Sequence, residues 1–304
     1  MDPVSHSLIG AAVGRSFGLR RAQILALAVL AELPDADIVF SLMGIEIPAF
    51  YHRSWTHSIL GCLVLGASAW PLLGSRVFGS VRPPLAAPIL AAVSHAFGDL
   101  ITSYGTPLLW PFRTGTLSLD WIGNLSWIPP LLLGGGLALS GIARVKRGVL
   151  IATWAAFFLF VGGSALLHRQ ALAMAPDLGD TDAVPHLIRP GRWRVIIRDE
   201  VGGVYRLYEA RPWEGKLDRG ATYPLPEESS WVQESRSLPR VQLFLKHNRW
   251  PLARVERGRG GGVEVIWGNL LFFRQGEVHG RLVVSYDGLG ELAGITRNGE
   301  PWAS

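Results

Sequence analysis

The sequence predicts a membrane α-helical bundle of about four spanning helices, opened by a short N-terminal helical hairpin and followed by a C-terminal, mainly antiparallel β domain. Three observations carry this. Hydrophobic residues make up 49% of the 304, charged residues only 17%, and the mean hydropathy is +0.26; a soluble globule carries about a quarter charged residues. The composition also shifts near His168. Residues 1–168 hold ten Lys or Arg and seven Asp or Glu, against nineteen and seventeen in the shorter remainder. Finally, long apolar runs give way beyond Pro176 to period-two patterns. The expected organisation is a membrane-embedded helical domain over 1–168 and a soluble, mainly β domain over 176–304.

Residues 5–16 and 20–33 are apolar segments on either side of Arg15, Gly18, Arg20 and Arg21. Each is too short to cross a bilayer at about 20 residues per crossing, so they form a helical hairpin. Pro3 suits a helix start, Ser5 a cap, and Pro34 ends the second segment. Pro34 to Trp55 reads as a loop. Thr56 to Leu73, Leu85 to Tyr104, Trp121 to Ala143 and Gly148 to Leu167 read as spanning helices, the third kinked at Pro129 and Pro130.

Alternate loops divide the basic residues unevenly. One set holds Arg15, Arg20, Arg21, Arg76, Arg82, Arg144, Lys146 and Arg147; the other holds Arg53 and Arg113. The richer set is expected on the cytoplasmic side of a multi-pass protein, with everything after His168 outside. The +5 net charge is dispersed and does not indicate nucleic acid as a partner. The single Cys62 excludes a disulfide framework. The N-terminus lacks the basic region of a secretory signal and is expected to stay attached.

In the second half, Trp193–Ile197 and Tyr205–Tyr208 flank Gly202-Gly203 and read as a hairpin; Val263–Trp267 and Arg281–Tyr286 are further strands, and Val241–His247 a short helix. His186, His247 and His279 are isolated and read as ordinary residues. No nucleotide-binding glycine motif and no nucleophile elbow is present.

The chemistry concentrates in four histidines and three aspartates of the first hundred residues: His6, Asp35, Asp37, His52, His57, His95 and Asp99. Such groups in apolar surroundings are costly unless paired or coordinated. His95 and Asp99, four apart on one helix, share a face. Taken singly, each has a plainer reading: a His–carboxylate hydrogen bond in a bundle, a solvated acidic loop, a capping histidine. Taken together, they point to a metal site. Imidazoles with carboxylates suit zinc, with manganese or iron as alternatives. Seven ligands exceed what one tetrahedral ion needs, so one or two ions are expected. Asp35 and Glu32 are the candidate catalytic acid–base residues, and Arg53 the candidate partner for an anionic substrate group.

The segments SHSLIG, PDAD, HRSWTHS and HAFGDLITSYGTPLLWPF, in this order over residues 1–115, resemble the YdjM-like family of inner-membrane metal-dependent hydrolases. That family usually opens with Thr-His, where this chain has Ser5-His6. The resemblance implies a membrane-bound metal-dependent hydrolase of the inner membrane whose motif residues correspond to His6, Asp35, Asp37, His52, His57, His95 and Asp99. The His95–Asp99 pair is also similar to that of zinc-dependent phospholipase C, which by analogy directs attention to a phosphoester or lipid substrate.

Two further functions compete with a hydrolase: a non-enzymatic metal-binding or transport component, and an anchor for the β domain. A transporter places ligands on spanning helices near the midplane; here most lie in one loop and at helix ends.

Overall fold

The computed structural model describes residues 1–36, 55–103, 105–113, 115–142, 146–226, 229–246, 248–258, 261–274, 277–278, 281–297 and 300–301. Asp37, His52 and Arg53, and with them most of the Pro34–Trp55 loop, lie outside the described residues, as do His247 and His279.

The hairpin expected at the N-terminus is present as α1 (Pro3–Ser16) and α2 (Arg21–Glu32). Asp2, and not Ser5, caps α1: its side chain accepts from the Ser5 amide at 2.9 Å, and Ser5 lies inside the helix. Pro3 occupies the first turn, where no amide is needed. Three apolar helices follow: α3 (Ile59–Leu73), α4 (Ala86–Leu100) and α5 (Ile128–Ile142). The last helix of this part, α6, runs from Lys146 to Ala173.

The expectation of about four spanning helices is overturned. Among the described residues only α6, at 28 residues, is long and apolar enough to cross a membrane. The other three have 15 residues each, about 22 Å at 1.5 Å per residue, against about 30 Å of hydrocarbon. The apolar runs are long, but the helices inside them are cut short by local chemistry. Trp55–His57 forms a separate 3-10 turn, and Ser58 caps α3 through the Gly61 amide. Pro129 and Pro130 do not kink a helix begun at Trp121. They fall in the first turn of α5, the one place where missing amides cost nothing.

The helices pack through small residues. A β-carbon at Gly10 of α1 would come within 2.3 Å of the Leu27 carbonyl, and one at Gly66 of α3 within 2.7 Å of Ile89 Cα. Such close backbone approach is the membrane mode of helix packing. The core between them is built from Ala12, Leu27, Cys62, Ala91, Ala92 and Ala96, while large apolar side chains such as Leu25, Val64 and Phe158 face outward.

The β part of the expectation agrees with the structure. Strands β1 (Asp180–Pro185), β2 (Trp193–Asp199), β3 (Val204–Arg211) and β4 (Lys216–Pro224) form a four-stranded sheet in sequence order. Short connections between hydrogen-bonded neighbours make it an antiparallel meander. The β2–β3 turn falls at Gly202-Gly203, where Asp199 accepts from the Gly202 amide at 2.7 Å and from Arg206. A second antiparallel sheet contains β5 (Pro251–Arg257), β6 (Val263–Asn269), β9 (Leu282–Tyr286), β10 (Leu292–Arg297) and β11 (Glu300–Pro301), ordered β11-β10-β9-β6-β5; β7 (Phe273–Arg274) and β8 (Glu277–Val278) pair separately. Helices α7 (Ser230–Arg236) and α8 (Pro239–Lys246) supply Val232 and Val241 to the core around Trp267, whose indole donates to Ser235 Oγ at 3.1 Å. The chain divides into two compact units, one of residues 1–177, 181–196 and 208–220, the other of 178–180, 197–207 and 221–304.

Candidate metal centre

Five of the seven predicted ligands meet at one end of the helical bundle: His6 from the first turn of α1, Asp35 from the 3-10 turn after α2, His57 from the 3-10 turn before α3, and His95 with Asp99 from the last two turns of α4. His6, His57, His95 and Asp99 are fully buried, and the Asp35 side chain is largely so. The remaining two, Asp37 and His52, are outside the described residues.

Hydrogen bonding fixes which nitrogen of His95 and of His57 faces the cluster. His95 Nδ1 lies 2.7 Å from the Ala31 carbonyl. A carbonyl only accepts, so Nδ1 carries the proton and Nε2 of the neutral ring presents a lone pair. That Nε2 is buried with no hydrogen-bond partner among the described residues, 3.7 Å from Asp99 Oδ2 and 3.8 Å from Asp35 Oδ1. Ala31 is free to orient it because α2 ends at Glu32, leaving the last carbonyls without helical donors. His57 also turns Nε2 inward: Nε2 donates to Asp35 Oδ1 at 2.9 Å, and Nδ1 lies 3.1 Å from Thr56 Oγ1. His6 Nε2 lies 3.4 Å from Asp99 Oδ1, which also accepts from the Met1 amino group, and its ring stacks on His95 with centroids 4.0 Å apart.

Imidazole nitrogens and carboxylates thus converge, and among the described residues the His6 nitrogens and His95 Nε2 have no hydrogen-bond partner, so the group could hold a cation. Metal–nitrogen and metal–oxygen bonds of about 2.0–2.2 Å put two ligands of one ion about 3 to 3.5 Å apart. The distances here run from 2.9 to 3.8 Å. Two triads have their ligand atoms within 4.8 Å of one another: His6, Asp35 and His95, and His57, His95 and Asp99. Both need His95, whose Nδ1 is already bonded to Ala31. The described residues therefore suit one ion, and a second would depend on Asp37 and His52.

The carboxylates are tuned in opposite directions. Burial works to raise the Asp35 pKa, but the hydrogen bond from His57 and the electrostatic influence of the adjacent His95 and His57 rings outweigh it and hold Asp35 below the usual range. Glu32, half-buried at the end of α2, is pushed up to about 7 by burial and by the Asp35 charge, with Ser7 hydrogen bonds opposing. Its Oε1 is buried and has no hydrogen-bond partner among the described residues.

Several supporting positions were not singled out by sequence. Gly105, at φ 77°, turns the chain so that Thr106 Oγ1 donates to the His57 carbonyl at 3.0 Å. Gly98 leaves room for His6: a β-carbon there would lie 2.8 Å from His6 Cε1. Its place in the HAFGD segment, one residue before Asp99, was the available signal. Gly98→Ala should displace the imidazole and weaken metal binding about tenfold or more, the scale of losing an outer partner. Helical circular dichroism should be retained, because alanine is the better helix former. Unchanged metal affinity by competition titration would remove this role.

The polarity of the bundle is consistent across its helices. Arg15 at the end of α1 donates to the Ser140 carbonyl at the end of α5, and Arg20 before α2 to the Gly79 carbonyl in the α3–α4 connection. These basic residues occupy the opposite helix ends from the ligands.

The family described as the YdjM inner membrane protein matches residues 1–171. The Escherichia coli K12 inner membrane protein YdjM is 34% identical over 89 residues, 27% of this chain and 45% of that protein; the Shigella flexneri protein of the same name gives the same figures. The chain thus spans less than half the length of these two relatives. The uncharacterized protein YfhP of Bacillus subtilis is 22% identical over 253 residues, 75% of this chain and 74% of that one. No solved structure matches.

Proposed function

Because the chain belongs to the YdjM inner membrane protein family, we propose that it is a membrane-bound metal-dependent hydrolase of the inner membrane, acting on a phosphoester or lipid substrate. The observation that carries this reading is His95: a buried imidazole whose Nδ1 is committed to a carbonyl and whose Nε2 faces two carboxylates. The metal is one divalent ion, zinc first and manganese or iron as alternatives, held by His6, Asp35, His57, His95 and Asp99. Where a second ion binds, Asp37 and His52 are its ligands. When bound, such an ion lowers the pKa of a water and offsets charge on the phosphoryl oxygens.

The chain's own residues do the rest. Glu32, titrating near neutrality beside Asp35, takes the proton that water loses as its oxygen bonds to phosphorus. It returns a proton to the leaving alkoxide as the ester P–O bond breaks. Asp35 stays ionised and so remains a ligand. Arg53 binds the anionic group of the substrate. The purified protein should hydrolyse a chromogenic phosphodiester only when loaded with metal, losing turnover to a chelator and regaining it with zinc or manganese. Metal-loaded protein with no turnover on phosphodiesters, phosphomonoesters or phospholipids would leave a binding component in its place.

The basic end of the bundle faces the cytoplasm. Helix α6 then crosses from Lys146 outward, which puts the metal cluster and the residues after Ala173 on the extracytoplasmic side. A reporter fused after Ser304 should be active only outside the cytoplasm, and one inserted at 144–147 only inside. The reverse pattern would overturn this orientation.

A further inference from the structure

On the reading that α6 crosses the bilayer, the loop that returns to its side acquires a defined depth. Residues 148–167 are free of charge, bounded by Lys146-Arg147 and by His168-Arg169. They match the about 20 residues a crossing needs. Phe160 and Ser164 of this run line a cleft whose other wall comes from residues far along the chain, including His186, Arg189 and Arg192. Ser164 is three residues before the end of the apolar run and Phe160 seven, so the cleft lies about 5 to 10 Å inside it. That is the depth at which interfacial segments seat in the headgroup and acyl boundary. The chain after α6 thus descends again into that zone before entering β2.

The loop's composition suits such a place. Leu187 and Ile188 at its tip are exposed, by 39% and 53%. Trp213, 72% exposed, lies over Gly191, where a β-carbon would be 3.8 Å from its indole nitrogen. Exposed indoles at this level are the aromatic belt of a membrane protein. The loop is held rather than dangling: Leu125 donates to the Leu187 carbonyl at 3.2 Å, and His186 to the Arg192 carbonyl at 2.8 Å. Its charge is mainly basic: Arg189, Arg192 and Arg194 all lie near enough to act on His186, as does Glu209 with the opposite sign.

We propose that loop 185–193 is a second membrane anchor, in which Leu187 and Ile188 enter the acyl region of the leaflet at the C-terminal end of α6 while Arg189 and Arg192 hold the headgroup of an anionic phospholipid. The exposed apolar tip is thereby covered by lipid and the cationic cleft by phosphate. The loop itself lies outside residues 1–171, although one wall of its cleft comes from α6.

The test uses the full chain in a Cys62→Ala background, with a single environment-sensitive fluorophore attached through Ile188→Cys. Leu159→Cys on α6 and Leu289→Cys in the β9–β10 turn are the references; both positions are exposed. The variants are reconstituted into phosphatidylcholine vesicles containing phosphatidylglycerol and acyl-chain spin labels. Quenching at 159 and 188 but not at 289 is the expected result. Quenching at 159 with 188 as dark to lipid as 289 overturns the anchor and leaves the spanning helix standing. No quenching at 159 overturns the spanning reading and the anchor with it. For the headgroup, each basic residue near an anionic surface is worth about a fivefold change in binding, so the Arg189→Gln/Arg192→Gln variant should retain about 25-fold less phosphatidylglycerol affinity. Wild-type retention should also fall as ionic strength rises. Equal retention in both proteins, or wild-type retention indifferent to salt, would remove the headgroup site.

Discussion

Replacing His95 with alanine should leave the detergent-purified protein with only background divalent metal after dialysis against a weak chelator. His95 Nε2 is common to both ligand triads. Its loss leaves neither complete, so the effect should exceed the about 10- to 100-fold cost of losing an outer partner. Asp99→Ala should act similarly, since Asp99 faces His6, His57 and His95. His186→Ala should leave metal content unchanged, because its Nδ1 is engaged with the Ile188 amide and it is no part of the cluster. Stability gives a second readout. A ligand that binds only the folded state raises the melting temperature with its concentration. Metal should therefore stabilise the wild type and leave His95→Ala unmoved. Equal metal in wild type and His95→Ala, or none in either, would remove the centre.

What sequence makes legible here follows from cost. Polar residues inside apolar runs stand out because their burial demands compensation, and His6, His57, His95 and Asp99 are such residues. Helices α1 and α2 are legible because Pro3, Gly18 and Pro34 punctuate them, although the capping residue is Asp2 and not Ser5. The strands around Gly202-Gly203 were legible because a turn there needs glycine, and Gly203 has a φ of 62°. The spans were over-read for the opposite reason. Hydrophobicity continues through Trp121–Trp127 and Ile101 although the helices there begin or end, and apolar composition does not distinguish a helix from a buried loop. The Ala31 carbonyl that sets the His95 tautomer has no side-chain signature. It is available only because α2 stops one residue later and tertiary packing brings α4 alongside.

Glu32→Gln should reduce turnover by about 10²- to 10⁴-fold, the usual contribution of a general acid–base residue, while metal content stays at the wild-type level because Glu32 is in neither triad. The pH dependence carries the sign. Burial and the Asp35 charge push the Glu32 carboxyl up to about 7, and only its ionised form accepts the proton of the attacking water. Activity should therefore rise with pH through the Glu32 midpoint and be lost below it. A bound cation beside Asp35 favours the carboxylate and moves that midpoint downward, so the metal-loaded rise should fall at or below about 7. Gln keeps the shape and the hydrogen bonding to Ser7 but cannot take the proton. Its residual activity should lose this limb of the profile. Lowered turnover with the limb intact would reduce Glu32 to a positioning residue, and wild-type turnover in Glu32→Gln would take it out of the reaction altogether.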